Sequence, residues 1–92
     1  MIRRLVLDVM KPYNPDVLVM TQRLSEIDGV DGATTKLVEM DEQVQETRVT
    51  IEGSDLDLEQ IQTIVEDLGG SIHSVDEVSC GDIVVEDLWV DN

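Results

Sequence analysis

Apolar and polar residues alternate along Arg3–Lys11. Leu5, Leu7 and Val9 fall on one side and Arg4, Val6 and Asp8 on the other, the period of a half-buried strand. After the punctuation "PYNP", Val17, Met20, Leu24 and Ile27 recur at helical spacing. Asn14 is a good cap, Pro15 suits the first helical position and Asp16 the first turn, so a helix is predicted from Pro15 to Ile27. "DGVDG" stops it. "ATTKLVEM" reads as a second strand, "DEQVQE" as a polar turn, and "TRVTIEG" as a third strand with Val49 and Ile51 turned inward. "DLEQ" has the form of a capping box, with Asp57 as cap and Gln60 reaching back. Leu58, Ile61, Ile64, Val65 and Leu68 then form a stripe that predicts a second helix, closed by the left-handed cap of Gly69 and Gly70. "SIHSVDEV" is a fourth strand, and "IVVEDLWV" after "CGD" is β-rich again.

The order β-α-β-β-α-β is a split pair of β-α-β units. Right-handed crossovers place both helices on one face of a four-stranded antiparallel sheet, an α+β fold of the ferredoxin-like type, the alpha-beta plait. A chain of 92 residues makes one such domain. The domain is expected over residues 1–81, with 82–92 a C-terminal extension able to add a strand in contacts between subunits.

Charge changes this picture most. There are 21 acids against 6 Lys and Arg, a formal net charge of −15. The acids are interleaved with Val, Ile and Leu, as on an acid-coated folded domain rather than a disordered acidic tail. Phe is absent, and Tyr13 and Trp89 are the only aromatics, so the core must be aliphatic. A lean core under an acidic, lysine-poor surface is expected of a halophilic protein, adapted to a very salty cytoplasm where repulsion is screened. Nucleic acid and anionic membranes are excluded as partners, because no basic patch is available to neutralise phosphates. The N-terminus lacks an apolar run of signal-peptide length and one cysteine cannot form an internal disulfide, so a cytoplasmic location is expected.

The segments "IRRLVLDVMKP", "LSEIDGVDG", "TIEGSDLDLEQI" and "LGGSIHSVDEVSCG", in this order and spacing, resemble the archaeal domain-of-unknown-function family 211. The resemblance covers the chain up to about Gly81. It implies a ferredoxin-like fold and closed homo-oligomers, and it brings no catalytic motif.

Candidate chemistry starts with "SIHSVDEVSCGD", which holds the only histidine and the only cysteine. Strict alternation puts Ser71, His73, Val75, Glu77 and Ser79 on one face and Ile72, Ser74, Asp76, Val78 and Cys80 on the other. A joint site of His73 and Cys80 is therefore not expected. Ile72, Val75 and Val78 do not alternate cleanly, which leaves room for a bulge. His73 is expected to be held by an acid across the sheet, with Asp8 the candidate. Asp8, His73, Asp76 and Glu77 together offer the place for a weakly held divalent cation, Ca²⁺ or Mg²⁺.

No nucleophile elbow, phosphate loop or Cys-x-x-Cys is present, so no catalytic residue is assigned. An acylphosphatase-like activity would want an arginine in an anion-cradling loop after the first strand, where "MKPYNPD" offers only Lys11 and Asn14. More telling are Arg4, Lys36 and Arg48, three of the few bases, which fall on the sheet face without helices. With Val6, Val38 and Trp89 they form the expected oligomer interface, pairing there with acids that include Asp8 and Glu52. The reading is a non-catalytic oligomeric binding or scaffold module. The alternative is a regulatory domain of the ACT type, sensing an amino acid or other small ligand between subunits near the "DG" turns.

Overall fold

The computed structural model describes residues 1–87. Strands β1 (Ile2–Pro12), β2 (Val30–Met40), β3 (Val44–Gly53) and β4 (Ser71–Cys80) and helices α1 (Val17–Ser25) and α2 (Leu58–Asp67) follow in the order β1-α1-β2-β3-α2-β4. The strands pair antiparallel in the spatial order β2-β3-β1-β4. This is the ferredoxin-like arrangement expected from the sequence.

The core forms where the inward rows of β1 and β3 meet the helix stripes. Leu5, Leu7, Val9, Val49, Ile51, Leu24, Ile61 and Val65 are fully buried there, with Met20 beside them. All these side chains are aliphatic or thioether, which is how a chain without Phe closes its interior.

α1 begins later than the sequence suggests. The Asn14–Pro15 peptide is cis, and Asp16 is the cap, its carboxylate accepting from the Val19 amide at 3.0 Å. Asn14 and Asp16 are both competent caps, and the helical run starts after the second. α2 starts at Leu58 as expected. Asp57 accepts from the Glu59 and Gln60 amides at 3.0 and 3.3 Å, and no return bond from the Gln60 side chain is formed among the described residues. Gly69 ends α2 with φ +83°, its N–H donating to Glu66 O while Gly70 donates to Val65 O. The loop after β3 lies on the turn after α1. A Cβ at Gly53 would sit 1.9 Å from the Gly29 carbonyl oxygen, so only glycine permits the approach.

The polar turn between β2 and β3 is shorter than expected. Asp41 Oδ1 accepts from the amides of Gln43 and Val44, both at 2.8 Å, and β3 starts at Val44. These bonds hold the Asp41 carboxyl below its usual range.

β4 departs most from the sequence reading. Its pairing with β1 runs Val78 to Leu5, Glu77 to Val6, Val75 to Leu7, Ser74 to Asp8 and Ile72 to Val9. One extra residue, Asp76, lies between the second and third of these pairs, and another, His73, between the fourth and fifth. Strict alternation therefore fails. Ile72, Val75 and Val78 all stand opposite inward residues of β1, because each bulge resets the pleat. Val75 belongs with Ile72 and Val78, not with His73 and Glu77.

The extension turns at Gly81, whose N–H donates to Met1 O. Asp82 to Asp87 run as irregular chain. The β-rich reading of "IVVEDLWV" does not hold over Ile83–Asp87, and Trp89 lies outside the described residues.

Candidate functional site

The helix-free face of the sheet carries the charge that the fold leaves uncompensated. Its cross-strand rows follow from the register. One row reads Lys36, Arg48, Asp8, Ser74 across β2, β3, β1 and β4, and its neighbour reads Thr34, Thr50, Val6, Glu77. A third reads Gly32, Glu52, Arg4, Ser79. Period two on β1, β2 and β3 puts these side chains on one face.

Arg4 is ringed by acids of its own chain, although its buried Nε makes no hydrogen bond. Its Nε lies 3.1 Å from Glu77 Oε2 and 3.7 Å from Glu52 Oε2, and its Nη1 lies 3.0 Å from Glu86 Oε1. The three acids are half-exposed or more, so each pair alone contributes at most about 1 kcal/mol. Together they fix the guanidinium and tie the extension to the sheet. Arg3 adds to this tie, donating from Nε to Gly53 O at 2.9 Å and from Nη1 to Asp82 O at 3.1 Å.

Lys36 and Arg48 are different. They stand directly opposite each other on β2 and β3, and both are exposed. Neither has a hydrogen bond or ion pair among the described residues. Like charges placed opposite one another destabilise a sheet. Asp8 is the cross-strand neighbour of Arg48, yet the two side chains do not pair, and Asp8 Oδ1 is buried with no hydrogen-bond partner. Such an oxygen costs about 1–3 kcal/mol when left unpaired.

Two concavities join these groups. One of about 370 Å³ is lined by Arg4, Val6, Lys36, Arg48, Thr50, Asp76 and Glu77. The other, about 50 Å³, is lined by Asp8, Val38, Glu46, Thr47, Arg48 and Asp76. Arg4, Val6, Lys36 and Arg48 are thus brought together, and Val38 lines the smaller concavity beside them.

Of the four residues expected around a cation, Asp8 and Asp76 share the smaller concavity, while Asp76 and Glu77 share the larger. Asp76 Oδ1 accepts from Ser74 Oγ at 2.6 Å. His73 is exposed, is the extra residue beside the Ser74–Asp8 pair, and makes no hydrogen bond among the described residues, so the expected bond to Asp8 is not formed. Among the described residues no three His, Cys, Asp or Glu side chains gather as a metal ion would require. Thr34 and Thr50 belong to the same face, and sequence reasoning passed over them although the same alternation would have found them. The Arg4–Glu86 pair joins residues too far apart for any spacing to reveal.

The described helices include none long and apolar enough to cross a membrane. The comparisons agree with the sequence resemblance. The chain is 42% identical over 87 residues to "Uncharacterized protein MJ0319" of the archaeon Methanocaldococcus jannaschii, covering 95% of this chain and 90% of that protein. A family model described as Uncharacterized ArCR matches residues 3–91, running past Gly81 through the extension that Arg3 and Arg4 hold to the sheet. The fold and its extension are therefore matched as one unit, and the chain belongs to this family, DUF211.

Proposed function

We propose that the protein is a non-catalytic, self-associating binding or scaffold module that works through the helix-free face of its sheet, in the cytoplasm of a salt-rich cell. The observation that carries this reading is the pair Lys36 and Arg48. A chain of net charge −15 has acids in excess for every base, yet it leaves two adjacent cations unpaired beside a buried, unpaired carboxylate oxygen. The two exposed cations are open to acids of a second surface. The face also mixes charge with Val6, Val38 and threonines, as subunit interfaces do.

Sedimentation of the full chain in molar KCl tests the proposal. A mass that is a multiple of 10.3 kDa is expected. A chain ended after Gly81 should form a smaller or less stable assembly, since the extension adds contacts at the same end of the face. A monomer at all concentrations would overturn the reading.

One observation favours a second reading, a small-ligand sensor of the ACT type. A concavity of about 410 Å³ is lined by Asp31, Gly32, Ala33, Thr34, Thr50 and Glu52, and so includes the second Asp-Gly pair of "DGVDG". A free amino acid that raises Tm in the same samples, without changing their mass, would select this reading.

A further inference from the structure

β2 is an edge of the sheet, with β3 on one side and no described strand on the other. Among the described residues no hydrogen bond reaches its outer side. Its charges meet the wrong neighbours within the chain. Lys36 stands opposite Arg48, and Glu39 stands opposite Glu46. Like charges placed opposite one another destabilise a sheet, and here two such pairs fall on one edge strand. Neither Lys36 nor Glu39 has an ion pair among the described residues, and the two do not reach each other along β2. The same stretch is apolar where it meets water. Leu37, Val38 and Met40 are 47%, 51% and 60% exposed.

An antiparallel copy of β2 supplies the right neighbours. Lys36 and Glu39 share the open side, because their partners Arg48 and Glu46 are two residues apart on β3. Thr35 and Met40 share the helix side by the same rule, through Val49 and Gln45. One extra residue, Val38, lets positions three and five apart share a face. A two-fold axis perpendicular to the sheet, between Leu37 and Val38, then sets Lys36 of each copy beside Glu39 of the other. It sets Thr35 beside Met40 as well, so both faces match across the contact. In a strand without the bulge the same register would join opposite faces.

We infer that two copies of this chain join edge to edge through antiparallel pairing of β2 with β2, Lys36 of each copy beside Glu39 of the other. Backbone hydrogen bonds along the two edges and burial of Leu37, Val38 and Met40 supply the affinity, and the charges fix the register. The two sheets become one, with both open faces on the same side. β4 is left at either end, where the extra residues His73 and Asp76 interrupt the edge, so the contact closes on itself. The extension is tied to Arg3 and Arg4 on β1, and β3 stands between it and this edge. The inference rests on the self-association proposed above and adds its contact, its symmetry and a partner for Lys36.

Charge reversal along one strand tests it, read by sedimentation. Lys36→Glu puts glutamate beside glutamate twice in the dimer, and Glu39→Lys puts lysine beside lysine twice. Each should weaken association about tenfold. The double variant Lys36→Glu/Glu39→Lys restores both contacts at unchanged net charge, and its Kd should return to that of the wild type. Docking through the open face alone cannot give this rescue, since an acid that received Lys36 would still meet a glutamate. Both positions are exposed, and circular dichroism checks that each variant folds. Hydrogen exchange reads the backbone of the wild type directly. The outward amides of residues 35–40 should be protected in the dimer and exposed on dilution to monomer. A double variant no tighter than the single ones, or a wild-type oligomer whose β2 amides exchange as in the monomer, would overturn the edge pairing while leaving self-association intact. A wild-type monomer would overturn both.

Discussion

Lys11 ends the inward row Leu5, Leu7, Val9 and is only 2% exposed, the one lysine in the interior of an acidic protein. Its Nζ donates to Pro12 O and, at 3.1 Å, to Gln45 Oε1, which satisfies part of what burial removes. Desolvation lowers its pKa from 10.5, and nearby Asp16 opposes the shift. With the folded value below the unfolded one, the unfolded chain holds more protons between the two. Stability linked to this group therefore rises with pH across that window, up to about 10.5, and the buried charge is a fixed cost below it. Lys11→Met keeps most of the stem's packing and removes the titration. Urea midpoints of the wild type should gain on those of Lys11→Met as the pH is raised towards 10.5. Parallel pH profiles would show that the ammonium titrates as it would in water.

At the scale of elements, the caps separate what spacing implies from what geometry delivers. The Asp57 carboxylate holds two amides of α2, so Asp57→Ala should cost about 1 kcal/mol in denaturant unfolding at unchanged m. Gln60 makes no return bond, and Gln60→Ala should stay within about 0.5 kcal/mol. An equal loss for both would restore the full capping box. The elements themselves were legible because burial imposes a period: two on β1 and β3, close to four on both helices. Strand ends were not. Val30 and Val44 join the sheet through pairing with neighbours, which composition does not encode. β4 was misread in its facing because Ile72, Val75 and Val78 recur every third residue. That spacing belongs to neither a regular strand nor an ideal helix, and two extra residues produce it. The site was legible on the same terms. Arg4, Lys36 and Arg48 share a face by alternation alone, whereas the positions of His73 and Asp76 depend on bulges.

For the molecule as a whole, charge and assembly act together. A net charge of −15 on a body of 40 × 35 × 18 Å spaces like charges within mutual reach at a Debye length of about 10 Å, the value at 0.1 M salt. At 1 M that length is about 3 Å, and repulsion survives only between immediate neighbours. The fold should therefore gain stability as KCl rises from 0.1 to 2 M. Association responds to the same screening, because two copies of equal charge repel before they touch. A dimer held by exposed ion pairs would loosen in salt. Pairs enclosed between two packed faces are screened much less. The lost repulsion then outweighs the weakened attraction, and the dimer should tighten along with the fold. Thermal melts and sedimentation across one KCl series measure both. A Tm flat over that range would refute the salt-adapted reading, and a dimer that dissociates while Tm rises would place the ion pairs that hold it at an exposed rim.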